Sequence, residues 1–240
     1  MTRLSVNINK VALIRNARGE DRPNLVQFAK DCEEFGAQGI TVHPRPDERH
    51  IRYCDLPKLK DVVTTEFNIE GYPSPKFIKH VCDAVPDQVT LVPDPPGVLT
   101  SSEGWDTVRH LDFLKDVIQK FKAKGIRVSL FLEADNQAVE AASKTGTDRI
   151  EFYTGKYASG YFDNREKAIE NHVNASKYAQ KVNLGVNAGH DLNLDNLAYY
   201  VNNMNNLLEV SIGHALIGDA LYYGIQNTIQ MYLHQINKGI

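Results

Sequence analysis

Along much of the chain, short stretches change character at every residue. Val6 and Ile8 alternate with Asn7 and Asn9, Ile40 and Val42 with Thr41 and His43, Ile150 and Phe152 with Glu151 and Tyr153, and Val210 and Ile212 with Glu209 and Ser211. A two-residue period belongs to a β-strand. Eight strands are predicted, over residues 4–8, 39–43, 67–70, 89–92, 128–132, 150–153, 184–187 and 208–212. Between them, apolar residues recur every three or four positions. Leu25, Phe28, Cys32 and Phe35 do so before Gly36, and Val108, Leu111, Leu114, Ile118 and Phe121 before Gly125. That spacing gives a helix one apolar stripe, and a glycine just past it fits a C-terminal cap. Helices are predicted over residues 24–35, 56–63, 107–124, 137–144 and 166–181, and from near Pro75 and Leu194. A last helix carries Ile217, Leu221, Ile225, Ile229, Tyr232 and Ile236. The result is a series of strand–helix units of about 30 residues each, the usual size of such a unit. One helix-to-strand joint recurs, in Gly36-Ala-Gln-Gly-Ile-Thr-Val-His43 and Gly146-Thr-Asp-Arg-Ile-Glu-Phe-Tyr153.

The alternation decides the architecture. Strands of a doubly wound sheet are covered on both faces and read as unbroken apolar runs. Here one face is polar, carrying Asn7, Thr41, His43, Asn68, Glu70, Ser129, Glu151, Asn187, Glu209 and Ser211. The apolar face must meet the intervening helices, so the polar face must line an interior. A closed barrel provides one. The pattern predicts an α/β fold, a (β/α)8 TIM barrel with additional short helices, filling residues 1–240 as one domain.

Composition narrows the function. Of 240 residues 42% are hydrophobic, ample for a core, and the net charge of -3 with no long run of Lys or Arg argues against a nucleic-acid surface. No apolar segment is long enough for a signal sequence or a membrane span. Cys32, Cys54 and Cys82 form no Cys-x-x-Cys pair, which points away from disulfides and zinc and towards the cytoplasm.

In a barrel of this kind the active site lies at the C-terminal ends of the strands. Those ends carry Asn7, His43, Glu70, Glu151 and Asn187, with His190 and His214 just beyond. A satisfied internal network would account for one inward carboxylate; so many convergent titratable groups favour general acid/base chemistry. After His43 the strand breaks at Pro44 and Pro46 into a loop with Arg45, Arg49 and His50, which suits an anionic small molecule. Gly213-His214 opens the last helix where barrels commonly bind phosphate, and Gly189 in the neighbouring loop lets backbone approach a ligand. The run Arg15-Asn-Ala-Arg-Gly19 reads as a solvated loop that brings Arg18 within reach of a phosphate. Residues 93–104, rich in Pro, Gly and Ser, are long enough for a lid. No His-x-His or clustered carboxylates suggest a metal. No Lys stands at an inward strand end to form a Schiff base, which counts against an aldolase. A non-catalytic scaffold would have no need of His43, Glu70 and His190 together.

The ordered blocks Val6-Asn-Ile8, Arg15-Asn-Ala-Arg-Gly19, Gly39-Ile-Thr-Val-His43, Asn68-Ile-Glu70, Leu91-Val-Pro93, Val128-Ser-Leu-Phe131, Ile150-Glu151 with Thr154-Gly155, Val186-Asn-Ala-Gly-His190 and Ile212-Gly-His-Ala215 run the length of the chain. Together they resemble the pyridoxine 5′-phosphate synthase family. The resemblance implies a cytoplasmic (β/α)8 homo-octamer with no metal or organic cofactor. Its two phosphorylated substrates would be 1-deoxy-D-xylulose 5-phosphate and 3-amino-2-oxopropyl phosphate. It implies His43 and Glu70 as bases, His190 as acid and Glu151 as a stabiliser of charge. Asn7, Arg18, His190, Gly213 and His214 would hold the aminoketone phosphate, and Arg45, His50 and Thr100 the deoxyxylulose phosphate. The chain departs from the family at Asn9-Lys10, where Asp-His is frequent, and at Asp191, where many members have Gly. All three positions are candidate substrate contacts.

Overall fold

The computed structural model describes residues 1–94 and 103–238. Eight parallel strands close into one barrel in sequence order: β1 (Arg3–Asn7), β2 (Gly39–Val42), β3 (Phe67–Gly71), β4 (Gln88–Leu91), β5 (Arg127–Leu132), β6 (Arg149–Tyr153), β7 (Gly185–Gly189) and β8 (Leu207–Ile212). β1 pairs with both β2 and β8, which seals the cylinder. Around it run α1 (Asn9–Arg18), α2 (Leu25–Glu34), α3 (Asp55–Lys60), α4 (Pro75–Ala84), α5 (Leu111–Lys122), α6 (Asn136–Ser143), α7 (Gly155–Lys181), α8 (Leu197–Asn203), α9 (His214–Tyr223) and α10 (Ile225–Asn237). The predicted barrel is therefore the observed fold.

Local chemistry sets several helix starts. The side chains of Asn24, Ser74 and Asp135 accept hydrogen bonds from the backbone N–H groups of Gln27, Phe77 and Ala138, satisfying donors that the first helical turn leaves orphaned. The outward strand residues, such as Val6, Val42, Ile69, Leu130, Phe152 and Val210, are fully buried against the helices. Each such side chain contributes about 1.5–3 kcal/mol by leaving water.

Four elements differ from the sequence expectation. Residues 9–18 form α1, not a loop: Val11, Ala12 and Arg15 are buried while Leu13 and Ile14 face out, so no clean apolar stripe announces the helix. The long helix after β6 begins at Gly155 and kinks at Asn164, whose extended backbone (φ -161°) interrupts it. The Asn164 side chain then accepts from Lys167 N at 2.9 Å and starts a second segment, near the predicted start at 166. α5 starts at Leu111, leaving Val108 exposed. Finally, Gly224 (φ 76°, ψ 148°) divides the last helix into α9 and α10. The turn at that point needs a residue that tolerates positive φ, and it swings Leu221 away from the core stripe.

Inside the barrel part of the polar face pairs with itself across neighbouring strands. Ser5 Oγ and Thr41 Oγ1 are 2.7 Å apart, Asn68 Nδ2 donates to Thr41 Oγ1 at 3.2 Å, and Thr90 Oγ1 donates to Asn68 Oδ1 at 3.1 Å. At the N-terminal end Glu66 forms ion pairs with Arg127 at 2.6 Å and Arg3 at 3.3 Å. Glu209, buried beside them, is pushed well above the usual carboxylate range by burial and by Glu66. Glu66→Ala should therefore cost roughly 2–4 kcal/mol of unfolding free energy, because it leaves Arg127 uncompensated. Urea denaturation at neutral pH measures it; a change below about 0.5 kcal/mol, the range of an ordinary surface substitution, would show that this pair does not hold the barrel floor.

Candidate active site

Four groups close a circuit at the mouth of β1, β2 and β3. Asn7 Nδ2 donates to Glu70 Oε2 at 3.4 Å, and Asn7 Oδ1 accepts from Asn9 N at 3.1 Å. Asn9 Oδ1 accepts from the backbone N–H of His43 at 2.9 Å, and His43 Nδ1 lies 3.9 Å from Glu70 Oε2. The amide at position 9 thus holds His43 in place through its carbonyl oxygen. His43 is buried and Glu70 nearly so, at the ends of adjacent strands, as the alternation requires.

The loop after β2 owes its shape to α1. Arg15 donates through both terminal nitrogens to the Asp55 carboxylate at 2.8 Å, and Nη2 also reaches His50 O at 3.2 Å. Asn16 Nδ2 donates to His50 O at 2.7 Å and Arg49 O at 3.1 Å. Arg15 is not part of a solvated loop; it is buried and anchors the segment that presents Arg45, Arg49 and His50. Arg45 in turn pairs with buried Asp94 at 2.9 Å.

The electrostatics divide the mouth in two. On one side, burial, followed by the charges of Arg45, Arg49 and Lys10, pushes His50 down to about 4. Burial, then Arg45, His50 and Arg49, holds His43 well below the usual imidazole range. Both rings are neutral at neutral pH, in a field that attracts anions. On the other side, burial pushes Glu70 up to about 8, with Asp94 and Glu209 adding to it and Arg45 opposing. Glu151 rises well above the carboxylate range through burial and then Glu70. The two carboxyls interact, so they titrate as a unit, and burial favours the protonated form of both. His43 is therefore the ready base, and Glu70 becomes one only after giving up its proton.

Beyond β7, His190 (φ 80°) and Asp191 (φ 58°) both occupy the left-handed region, unusual for residues with a Cβ. Thr154 Oγ1 donates to Gly189 O at 2.7 Å and also to His190 O, and Asn196 Nδ2 donates to Asp191 O at 3.2 Å. Asp191 Oδ2 lies 2.8 Å from His190 Nδ1. Gly189 has a different role from the one expected: a Cβ there would collide with Oε1 of Glu151, so the glycine makes room for that carboxyl.

Gly213 caps α9, and His214 is its exposed first residue. His214 acts electrostatically on Asp191, and Lys10 on His50, which ties both to the mouth. Arg18, the last residue of α1, is exposed, and no hydrogen bond or ion pair joins it to the other site residues among those described. Thr100 and most of the proposed lid lie outside the described residues. Sequence reasoning gave no role to Asp55, Asp94, Thr154 and Asn196; Asp94 and Thr154, each just past a strand end, carried a positional signal.

The raised Glu70 has a consequence for stability. Between pH 4.5 and about 8 the native chain keeps a proton that the unfolded chain has released, so Glu70 weakens the fold as pH rises through that window. Glu70→Gln removes this dependence. Its Tm relative to the parent should be higher at pH 8.5 than at pH 5; a Tm difference that does not change with pH would mean that Glu70 is ionised in the native state.

The model of the family described as "Pyridoxal phosphate biosynthesis protein PdxJ" matches residues 4–238. Pyridoxine 5′-phosphate synthase of Cytophaga hutchinsonii is 58% identical over 99% of this chain and 100% of that protein. The Parabacteroides distasonis enzyme of the same name is also 58% identical, with the same coverage. Among solved structures, thiamine phosphate pyrophosphorylase from Pyrococcus furiosus superposes with a TM-score of 0.63 at 14% identity, over 98% of this chain and 96% of that one. Phosphoribosylanthranilate isomerase from Thermotoga maritima does so at 0.61 and 12%, over 99% of each chain, a likeness of fold alone. With the family model spanning almost the whole chain and full-length relatives above half identity, this chain belongs to the PdxJ family of pyridoxine 5′-phosphate synthases, enzymes of vitamin B6 biosynthesis.

Proposed function

We propose that the enzyme condenses 1-deoxy-D-xylulose 5-phosphate with 3-amino-2-oxopropyl phosphate to pyridoxine 5′-phosphate, releasing phosphate and water, in the cytoplasm and without a metal. One observation carries the reading: a neutral imidazole, His43, sits 3.9 Å from the carboxyl of Glu70, beside the cations Lys10, Arg45 and Arg49. Condensing two phosphorylated carbonyl compounds consists of proton transfers beside anions, and this mouth supplies both requirements. His43 takes the first proton. Glu70 gives its proton up and then serves as a base. His190 protonates a departing oxygen, and Glu151 stabilises charge deeper in the barrel. Arg45, His50 and Thr100 hold the deoxyxylulose phosphate, with Lys10 adding positive charge beside His50. Asn7, Arg18, His190, Gly213 and His214 hold the aminoketone phosphate. The metal-free reading is supported by the donor set: among the described residues no three His, Cys, Asp or Glu side chains converge as a metal site.

Supplying both substrates and following the pyridoxine chromophore tests this directly. Turnover should persist in the presence of a chelator, and Glu70→Gln should lower kcat by roughly 10²-fold or more. Chelator-sensitive turnover would remove the metal-free mechanism, and a near-normal kcat in the variant would remove Glu70 from the chemistry.

The chain also assembles, on this reading, into a homo-octamer. Leu221, Tyr222 and Tyr223 at the end of α9 are 75%, 87% and 52% exposed, a run of apolar and aromatic surface of the kind interfaces favour. Leu233 of α10, by contrast, is partly buried against the core. Light scattering should give the mass of eight chains, and Leu221→Asp should lower it; a monomer at micromolar concentration would refute the interface.

A further inference from the structure

The feature of the mouth that the chemistry above leaves unused is the carboxylate of Asp191. Its Oδ2 lies 2.8 Å from Nδ1 of its neighbour His190. Two adjacent residues rarely meet in this way, because an ordinary backbone turns their side chains apart. Here both stand in the left-handed region, at φ 80° and 58°, a conformation that costs about 1 kcal/mol or more for each residue with a Cβ. The surrounding structure enforces it. Thr154 holds the carbonyls of Gly189 and His190, and Asn196 Nδ2 holds that of Asp191 at 3.2 Å. Asn196 is fixed in turn: its Oδ1 accepts from Asn193 N at 2.9 Å, and its carbonyl accepts from Tyr157 OH at 2.7 Å. On the other side the edge of the His190 ring meets Tyr153 of β6, with centroids 5.3 Å apart.

We propose that Asp191 is a positioning residue, which holds the His190 ring through Nδ1 so that Nε2 is the nitrogen that exchanges a proton with the substrate. This rests on the role given above to His190 as the acid. A carboxylate on Nδ1 fixes both the tautomer and the ring orientation. The step balances simply. In the imidazolium both nitrogens carry protons. Nε2–H passes its proton to the departing oxygen, and the N–H bonding pair remains on Nε2. The ring is left as the neutral Nδ1–H tautomer, which Asp191 accepts from. The Asp191 carboxyl is held below the usual range by His190, 2.8 Å away, and then by His214.

Asp191→Gly and Asp191→Asn test the assignment without disturbing the loop, because glycine and asparagine are the residues most tolerant of positive φ. The ¹⁵N spectrum of the His190 ring, assigned with His190→Gln, should show the Nδ1–H tautomer in the parent at a pH where the ring is neutral. Asp191→Gly should move it towards Nε2–H, the form that free imidazole side chains prefer. With both substrates supplied, kcat of the glycine variant should fall roughly tenfold or more while KM stays within about twofold. A parent ring in the Nε2–H form, or a spectrum unchanged in Asp191→Gly, would overturn the assignment. So would a variant that raises KM and spares kcat, since that places the carboxylate on the substrate and not on the imidazole. If the parent chain showed no turnover, the proposed reaction would fail, while the tautomer measurement would still decide the pairing.

Discussion

A closed barrel has a dry interior, and every polar group turned into it must find a partner there or carry a cost of about 1–3 kcal/mol. The structure meets this demand for some of these groups and leaves it unmet for others, among them Ser129 Oγ and Asn187 Nδ2. In the middle of the barrel, Ser5, Thr41, Asn68 and Thr90 bond to one another across neighbouring strands. At the floor, charges of opposite sign meet, with Glu66 set between Arg3 and Arg127. At the mouth, burial raises both Glu70 and Glu151, Glu70 pushes Glu151 further up, and Oε2 of Glu151 has no hydrogen-bond partner among the described residues. The carboxyls can remain there only by holding their protons. The same constraint thus produces buried carboxyls that favour the protonated form, Glu209 at the floor and Glu70 and Glu151 at the mouth, where a change of field can release a proton.

The cations opposite them are held by residues that need not touch a substrate. Arg15 and Asn16 reach from α1 to the carbonyls of Arg49 and His50, and Asp55 closes the loop from its far side, also accepting from Arg52 N at 2.8 Å. A second brace lies outside it. Lys76 of α4 pairs with Glu48 at 2.9 Å and sits 4.3 Å from the centre of the Tyr53 ring, which stacks on His80. A loop bearing several like charges repels itself, and these buried bonds hold it in one shape. They also mean that α1, inserted between β1 and α2, acts as a strut for the site and adds little to the outer layer.

What the sequence made legible follows from which interactions are local. The alternation along each strand records which face meets the helices, so the barrel and its inward His43, Glu70 and Glu151 could be read directly. The start of the helix at Asn24 could be read for the same reason, because its cap is satisfied within three residues. The rest depends on contacts between distant residues. α1 escaped notice because its decisive bond, from Arg15 to Asp55, crosses 40 positions and leaves Leu13 and Ile14 in solvent. Asn9 looked like a substituted ligand, yet its Oδ1 serves the backbone of His43, 34 positions away. Gly189 looked like a place for a ligand to approach, and a protein carboxyl occupies that space. Apolar periodicity carried across Gly224 without a break, because the pattern does not record backbone sign.

The two halves of the mouth are coupled through His43. Its ring is kept neutral partly by Arg45, His50 and Arg49, and a charge that offsets these cations also raises the ring's affinity for a proton. On the proposed function, that charge is the phosphate of the incoming sugar. With a dianion seated against Arg45 and His50, His43 becomes a stronger base just as a substrate proton comes within reach, and the resulting imidazolium stands 3.9 Å from Glu70. A positive charge at that distance favours the ionised carboxyl, so Glu70 loses its proton more readily after His43 has gained one. Binding then sets the order of the proton transfers. The base acts first because the phosphate strengthens it, and the acid acts second because the base has become charged.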